Sequence, residues 1–366
     1  MLKLMKYNSF YYYNATSNNF FPYKTDELYK ISEDALDSKL INIDNLDNKY
    51  YIKSISLKNK IFDKKKKVTY KTFVDIYTKL IDYTIKQNST YSYNKEIEKS
   101  KNSFKLLSFN ILHNELVRDK QLDIMEDWNI RKEKIINILL IYKPHIICLQ
   151  EVDLEYSNYI KEVLNFYNYN GEYFYNINSN IKYGNLTLWN TKKFKYLEKF
   201  EQALTSCKIA NVIKLEFNKK PLLISNMHLT VPRTLKNKYG IKQYNEIFQH
   251  EQVNNILRII KSLNVHNYIL AGDSNSLPEN KNYKFLLSKK LFSSYRTILH
   301  KEPEITTYNV YDKFIGTLDY IFYNKNCDLQ PYKVLNIPKF NKYIDFLPNL
   351  LYPSDHYPIM TKFILN

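Results

Sequence analysis

From Phe104 to the C-terminus, short apolar runs alternate with stretches whose apolar residues recur at helical spacing, and this alternation restricts the fold. Phe104 to Asn110 is patterned as a strand, Trp128 to Tyr142 as an amphipathic helix, and His145 to Gln150 as a second, buried strand. Strands and helices in alternation are typical of α/β folds with a central sheet. We therefore predict a mixed α/β fold.

The rest of the chain continues this pattern. It predicts a long helix and six further strands: the helix at 241–262, and strands at 185–190, 209–216, 221–228, 267–272, 318–323 and 356–364. Residues 1–103 contain no glycine and end in a polar stretch from Glu96 to Ser103. We place a domain boundary there. A basic, Tyr-, Asn- and Lys-rich extension (1–103), partly helical near Val74 to Ile85 or disordered, precedes a domain of residues 104–366.

The chain is strongly basic, with 54 Lys and Arg against 37 Asp and Glu and a net charge of +17. Such a charge favours anionic partners, nucleic acid above all or an acidic membrane surface. Lys, Asn, Tyr and Ile are abundant throughout, however, and a general compositional bias would give the same excess. Both explanations of the charge stay open, and nothing in the sequence indicates a protein partner.

Cysteine use and hydropathy bear on the compartment. The three cysteines are far apart and lack C-x-x-C spacing: Cys148, Cys207 and Cys327. They predict neither a disulfide framework nor a thiolate zinc site, so a reducing, intracellular compartment fits, cytoplasmic or nuclear. No apolar run reaches the roughly 20 residues of a membrane-spanning helix. The first 25 residues contain three lysines, no acid and no arginine, which is a weak signal for organelle targeting.

Polar residues cluster where the predicted strands end. Six islands combine carboxylates, amides and histidines: Ser108–Asn110, Leu149–Val152, Asn226–Leu229, Gly272–Ser276, Gly316–Ile321 and Pro353–His356. Strand ends are where α/β folds build their sites, so the islands predict one shared site. No G-x-G-x-x-G, phosphate-loop, G-x-S-x-G or H-E-x-x-H pattern is present, which disfavours a glycine cradle for nucleotides, a serine hydrolase and a zinc protease.

The chemistry of these groups suits Mg²⁺-assisted attack of water on a phosphodiester, with Mn²⁺ as a possible substitute. A hard divalent ion prefers oxygen ligands, and the predicted ligands are Glu151, Asn110 and Asp355. The ion would neutralise charge on the phosphate oxygens as the leaving group departs.

Five further residues are predicted to carry out the reaction. Asp273 orients and deprotonates the attacking water. Three side chains donate hydrogen bonds to the phosphate: His228, Asn275 and His356. Asp319 holds His356 by its second ring nitrogen and favours the protonated ring.

Each of these residues also has a structural explanation when taken alone. Glu151 could simply close a strand, Gly272–Ser276 could form an Asx turn, and His228 could be a capped histidine at a strand end. Asp319 is harder to explain in this way, because an unpaired carboxylate inside an apolar run is costly to bury. The joint occurrence of the islands in this order favours a catalytic site.

These motifs, in this order, resemble the endonuclease/exonuclease/phosphatase superfamily over residues 104–366. The resemblance implies a four-layer α/β sandwich, in which two facing mixed sheets are flanked by helices. It also implies the metal and catalytic roles given above. Three segments look most like the nocturnin and cytoplasmic deadenylase branch: Phe109–Leu112, Cys148–Asp153 and Phe314–Tyr323.

The same resemblance implies two substrate-binding residues besides Asn110. Phe314 matches an aromatic residue that stacks on a substrate base, and Asn185 lies in a Gly-Asn motif that other branches of the superfamily carry. Without the resemblance, Phe314 would be a packed loop aromatic. The sequence departs from the branch at Met227, where threonine is usual, and at Thr230–Gly240, which is longer and more basic.

The resemblance implies a 3′-5′ exoribonuclease of poly(A)/deadenylase type that acts on single-stranded RNA. Two alternatives stay open. One is the same chemistry on another phosphodiester: a DNA lesion, 5′-tyrosyl DNA, 2′,5′-oligoadenylate or a phospholipid headgroup. The other is an inactive member that binds nucleic acid. The second is disfavoured because the full set of polar residues is present, which an inactive copy need not keep.

Overall fold

The structure is a computed structural model that describes residues 102–117, 128–176, 182–204, 208–236, 242–309, 314–337, 347–348 and 352–366. The predicted N-terminal extension, its helix near Val74 to Ile85 and Cys207 lie outside these residues. The first described strand begins at Ser103, next to the predicted domain boundary. The boundary itself stays a prediction.

The first of two large sheets has six strands in the order β15-β16-β1-β2-β4-β3. Their bounds are β1 Ser103–Asn110, β2 Ile146–Asp153, β3 Tyr169–Tyr175, β4 Tyr183–Asn190, β15 Leu329–Val334 and β16 Ile359–Leu365. β1 and β2 are parallel, and every other neighbouring pair is antiparallel. The sheet is therefore mixed.

The second sheet also has six strands, in the order β11-β14-β10-β7-β6-β5. Their bounds are β5 Lys195–Ala203, β6 Ile209–Phe217, β7 Lys220–His228, β10 Tyr268–Asp273, β11 Leu291–Ser293 and β14 Asp319–Asn324. β7 and β10 are parallel, and the other pairs are antiparallel. Each sheet thus has one parallel pair at its centre.

Four of the five helices that the structure describes cover the outer faces of the sheets. The helices are α1 Trp128–Tyr142, α2 Leu154–Asn165, α3 Ile247–Ser262, α4 Lys281–Ser288 and α5 Ser294–Leu299, with a 3₁₀ turn at Asn114–Leu116. Apolar residues of α1 and α2 pack on the first sheet, and those of α3 and α4 on the second. Within the described residues, no helix combines the length and the apolar character needed to cross a membrane.

The inner faces of the two sheets pack against each other around a common core. Phe104 and Ile146 of the first sheet share this cluster with Ile224, Ile269 and Ile321 of the second. Side chains on the opposite faces of the same strands pack under the helices, so the central strands are buried on both sides. This is the predicted four-layer sandwich.

One buried amide ties the two sheets together close to their shared edge. The Asn226 side chain on β7 donates to the carbonyls of Leu149 and Leu186, both at 3.0 Å, in the opposite sheet. Its Oδ1 accepts a 2.7 Å hydrogen bond from Gln150 Nε2. Buried polar groups need such partners, and a satisfied network fixes one relative placement of the sheets. The residues that follow, Glu151 and His228, are thereby brought to the same edge.

The predicted strands in 104–366 are all present, although the one predicted at 356–364 begins only at Ile359, and the predicted helix at 128–142 is confirmed as α1. The predicted helix at 241–262 was wrong at its start. Lys242–Asn245 forms a strand (β9) that pairs with Arg233–Lys236 (β8), and the helix begins only at Ile247. Residues 242–245 carry no apolar stripe of helical spacing, so pairing with β8 satisfies their backbone better than a helical turn would. A second small ribbon joins β12 Thr307–Asn309 to β13 Phe314–Gly316.

Candidate active site

The parallel strands end side by side at one edge of the sandwich. Asn110 closes β1 opposite Gln150 of β2, and Asp273 closes β10 opposite His228 of β7. Asp319 opens β14, which runs antiparallel to β10, and it pairs with Asp273. The strand register aligns these residues within each sheet, and a 3.2 Å hydrogen bond from Asn110 Nδ2 to Asp273 Oδ2 joins the two sheets at this edge.

Glu151 occupies a bulge in β2. The pairing of β2 with β4 shifts register between Gln150 and Val152, and Glu151 itself has a φ of 61°. A bulge redirects one side chain out of the regular alternation, and positive φ in a residue with a Cβ is strained. Here the side chain is fixed at both oxygens: Oε1 accepts from Asn110 Nδ2 at 2.9 Å, and Oε2 from the His113 amide at 3.1 Å.

Asn110 links the two sheets at the site. Its Nδ2 donates to Glu151 Oε1 and also to Asp273 Oδ2 at 3.2 Å. Its Oδ1 accepts from the Leu112 amide at 3.0 Å, which fixes the orientation of the side-chain amide. Asn110 is buried, so the three contacts hold a single geometry.

His228 faces the same two carboxylates. Its Nε2 lies 3.8 Å from Glu151 Oε1 and 3.7 Å from Asp273 Oδ2. Its Nδ1 is buried and has no hydrogen-bond partner among the described residues. Burial, followed by the charges of Lys208 and His356, lowers the pKa of His228 well below its usual range. The lowered pKa favours the neutral ring, and its Nε2 is the nitrogen that faces the carboxylates.

Asp273 and Asn275 form a tight turn after β10. Asp273 Oδ1 accepts from the Asn275 amide at 2.8 Å, and Asn275 adopts a left-handed φ of 48°. The Asn275 side-chain Nδ2 donates to the Leu229 carbonyl at 2.9 Å. Asp273 and Asn275 therefore form an Asx turn and also lie among the candidate site residues, so the two interpretations of this segment are compatible.

His356 contacts Asp319 through one ring nitrogen and faces Asp273 with the other. Its Nδ1 is 2.8 Å from Asp319 Oδ2, while its Nε2 is 3.9 Å from both Asp273 Oδ2 and Asp355 Oδ1. Burial lowers the pKa of His356, but the charge and hydrogen bond of Asp319 and the charges of Asp355 and Asp273 together raise it more, so the net pKa is well above the usual value. The raised pKa favours the protonated ring, whose Nε2 faces Asp273 and Asp355.

Burial and neighbouring charges raise the pKa values of Asp273 and Asp355. Burial, with the charges of Asp319 and Glu151, raises the pKa of Asp273 to about 7, against the opposing charge of His356. Burial and the charge of Glu151 raise the pKa of Asp355 to about 6. Four carboxylates so close together repel one another, and a bound positive charge would offset this repulsion.

The donor set fits a hard divalent cation. Asp273, Asp319 and His356 offer ligand atoms within 4.8 Å of one another. The 2.8 Å contact between Asp319 and His356 is an ion pair, however, and it occupies one of those atoms on each residue. Carboxylate oxygens of Glu151 and Asp355 make up the remaining set, which is the ligand type that Mg²⁺ and Ca²⁺ prefer. The Asn110 oxygen, expected as a further ligand, is instead bonded to the Leu112 amide, and its Nδ2 faces Glu151 and Asp273.

The two substrate residues expected from the resemblance have different surroundings. Phe314 is half-buried at the start of β13, on the ribbon whose other strand carries Thr307. Asn185 is 1% exposed, and its Nδ2 donates to the Asn226 carbonyl at 2.8 Å. Its Oδ1 is buried without a partner among the described residues. Substrate binding by either residue stays a prediction.

Several residues of the site were missed by the sequence reasoning. Lys208 lies 3.3 Å from the Tyr183 hydroxyl and influences His228 electrostatically. Thr307 contacts both members of the Asp319–His356 pair. Neither residue lies in a recognisable motif. Ser354 donates to the Asn110 carbonyl at 2.7 Å, and this residue did lie inside the Pro353–His356 island.

Arg131 on α1 was missed as well, although it connects two segments next to the site. Its guanidinium is fully buried and donates to the carbonyls of Pro353, Ile111 and Leu112 at 2.7, 2.8 and 2.5 Å. It thereby fixes the segment before Asp355 against the segment after Asn110.

Replacing Arg131 by Met should destabilise the protein by about 2 to 4 kcal/mol, because three buried carbonyls lose a charged donor. Urea denaturation followed by circular dichroism measures the loss. Arg258→Met, an exposed position on α3, should change stability by less than about 0.5 kcal/mol. Equal effects of the two substitutions would contradict the role of Arg131.

Comparison with known proteins agrees with this geometry. The sequence model of the Endonuclease/Exonuclease/phosphatase family matches residues 107–356. The probable CCR4-Not complex 3′-5′-exoribonuclease subunit Ccr4 of Enterocytozoon bieneusi is 24% identical over 325 residues, covering 73% of this chain and 65% of that protein. Nocturnin of Rattus norvegicus is 25% identical over 262 residues, covering 65% and 59%. The chain spans less than two thirds of the length of either relative.

Among solved structures, the catalytic domain of human nocturnin with bound sulfate aligns with a TM-score of 0.57 and 26% identity, covering 73% of this chain and 95% of that one. The family match, these relatives and the two facing mixed sheets agree with one another. The chain belongs to the Endonuclease/Exonuclease/phosphatase family.

Proposed function

We propose that the protein is a Mg²⁺-dependent 3′-5′ exoribonuclease of deadenylase type that acts on single-stranded RNA. The observation that carries the proposal is the convergence of four side chains from both sheets. Neighbouring members lie 3.7 to 3.9 Å apart: Glu151, His228, Asp273 and His356. The relatives named as Ccr4 exoribonuclease and nocturnin support RNA as the substrate class.

Glu151 and Asp355 would hold the metal ion, and Asn110 would position Glu151 through its amide nitrogen. When bound there, Mg²⁺ supplies positive charge to the phosphate oxygens. Asn110 donates to Glu151 and Asp273 together, so it keeps the metal-binding carboxylate and the proposed base at a fixed separation.

Three side chains act on the reacting groups. Asp273 orients the attacking water and accepts its proton. His228 and His356 each point Nε2–H into the same space and donate hydrogen bonds to the phosphate oxygens. Asn275 has its side-chain amide near Leu229, and we propose that it reaches the phosphate when substrate is bound.

We further propose that Phe314 stacks on a substrate base and that Asn185 contributes to substrate binding at the same edge of the sandwich. Stacking accepts any base, so a preference for adenine would come from other contacts. The separate free thiols of Cys148 and Cys327 support an intracellular site of action, cytoplasmic or nuclear.

A substrate panel tests the proposal. Full-length protein is incubated in Mg²⁺, Mn²⁺ or EDTA with 5′-labelled poly(A), mixed-sequence RNA, single-stranded DNA, 5′-tyrosyl DNA and 2′,5′-oligoadenylate. A 3′-5′ exonuclease converts 5′-labelled poly(A) to a ladder that shortens with time, only with metal present. Equal cleavage of RNA and DNA would contradict the RNA assignment, and no metal-dependent cleavage of any substrate would contradict the enzyme as a whole.

Metal binding has a readout that does not depend on activity. Mg²⁺ that binds only the folded protein should raise its melting temperature, and a concentration of 100 Kd corresponds to about 2.7 kcal/mol. Differential scanning calorimetry from EDTA to excess Mg²⁺ measures the shift. Asp355→Asn should reduce the shift, whereas Asp328→Asn, an exposed aspartate that pairs with Lys220, should keep it. A shift of the same size in both variants would contradict the proposed ligand.

A further inference from the structure

Thr307 lies at the centre of the contact between Asp319 and His356. Its Oγ1 donates to Asp319 Oδ2 at 3.1 Å and lies 3.0 Å from His356 Nδ1, which is itself 2.8 Å from the same Asp319 oxygen. The three atoms close a triangle. Thr307 is 3% exposed, so water does not compete readily for these contacts.

The backbone around Thr307 fixes this triangle. Thr307 bridges His356 directly, the Tyr308 amide donates to the Asp355 carbonyl at 2.8 Å, and the Tyr357 amide donates to the Thr306 carbonyl at 2.7 Å. The Thr306 hydroxyl accepts the amide of Asp319 at 3.1 Å. β12 thus lies between the two segments that supply the ion pair.

We propose that Thr307 is a positioning residue for the reaction: its hydroxyl holds one oxygen of Asp319 against Nδ1 of His356 and so aims Nε2 of His356 at the phosphate. The inference rests on the proposed function, since it assigns His356 to the phosphate. Asp319 Oδ1 has no partner among the described residues, so nothing else on this side chain selects which oxygen faces His356. The Thr307 hydroxyl, as a second donor to Oδ2, fixes this oxygen toward His356.

The ribbon that carries Thr307 also carries Phe314, and this gives an internal comparison. Thr307 pairs with Gly316, and Asn309 pairs with Phe314 two residues further along. A substitution that merely distorted the ribbon would disturb Phe314, and substrate affinity would fall. A substitution that only released the Asp319–His356 pair would lower kcat and leave KM unchanged.

The test compares Thr307→Val, Thr307→Ser and Phe314→Ala in the full-length protein. Valine keeps the shape and strand preference of threonine but lacks the hydroxyl, so kcat should fall about 10- to 100-fold with KM unchanged. Serine restores the hydroxyl and should stay within about threefold of wild-type kcat. Phe314→Ala should instead raise KM.

The matched control is Thr361→Val. Thr361 is also fully buried with a hydroxyl contact, 2.7 Å to Ser294 Oγ, but it lies on β16 away from the site. Thr361→Val should lower the melting temperature by as much as Thr307→Val does, and leave kcat unchanged. Thr307→Val with wild-type kcat, with a raised KM like that of Phe314→Ala, or with no rescue by serine would overturn the proposal.

A second readout separates this inference from the proposed function. In ¹⁵N-histidine-labelled protein, the proton on His356 Nδ1 should give a downfield resonance, assigned by its loss in His356→Gln. Thr307→Val should shift this resonance and Thr361→Val should not. If wild-type protein cleaves no substrate while the shift is seen, the proposed function fails and the positioning by Thr307 stands. An unmoved resonance would overturn the positioning itself.

Discussion

Glu151→Gln should lower turnover by roughly 10³-fold while the protein stays folded. Glutamine matches glutamate in size, but it removes the negative charge and turns one acceptor into a donor. The two groups that now donate to this side chain, Asn110 Nδ2 and the His113 amide, would then share one acceptor. Steady-state cleavage of poly(A) across a range of Mg²⁺ concentrations measures the loss.

Stability after this substitution should change little or rise. The charge of Glu151 raises the pKa values of Asp273 and Asp355, so its removal relieves like-charge repulsion in the metal-free protein. The bulge conformation is retained because glutamine needs no different backbone. Glu162→Gln, an exposed position on α2, serves as the control and should keep full turnover. Near-normal activity of Glu151→Gln at every Mg²⁺ concentration would contradict the metal role of Glu151.

The central strands could be predicted from sequence because both of their faces are buried. A parallel pair packed between helices and a second sheet leaves a continuous apolar run, and such a run ends where the polar site begins. Asp319 is the clearest case. A buried carboxylate at the start of an apolar strand needs a partner, and Asp319 lies 2.8 Å from His356 in the structure.

The edges of the sandwich could not be predicted in the same way. β5 pairs along its whole length with β6, yet nearly all of its residues are exposed and its sequence is rich in Lys and Glu. An edge strand needs no apolar alternation, and its charges protect it from pairing with other chains. Helix α2 did carry a signal, because Asp153 caps it by accepting the Tyr156 amide at 2.6 Å.

The supporting residues of the site were missed for a different reason. Arg131 sits in a charged stretch of α1, where nothing in the sequence distinguishes a buried arginine from an exposed one. Its partners are carbonyls up to 222 residues away, and a carbonyl has no residue type that a pattern could reveal. Thr307 likewise acts on residues 12 and 49 positions away. Carboxylates and histidines at strand ends leave a signal in the sequence, whereas the residues that support them do not.

His356→Gln should lower turnover by roughly 10²- to 10³-fold, with a smaller change in KM. The protonated ring contributes two things that glutamine lacks: a positive charge among Asp273, Asp319 and Asp355, and an Nε2–H aimed at the phosphate. Unlike Glu151→Gln, this substitution should also destabilise the metal-free protein, because it removes the cation from a buried group of carboxylates. Mg²⁺ should recover part of that stability, since it supplies positive charge to the same cluster.

The double variant His356→Gln/Asp319→Asn separates the two effects of His356. Neutralising Asp319 removes the carboxylate that is left unpaired, so the double variant should melt at a higher temperature than His356→Gln alone. Turnover should stay low, because no cationic donor faces the phosphate. Calorimetry and single-turnover cleavage on the same samples measure both quantities. Recovery of turnover together with stability would mean that His356 acts only by balancing charge within the fold, and that the phosphate is bound by other groups.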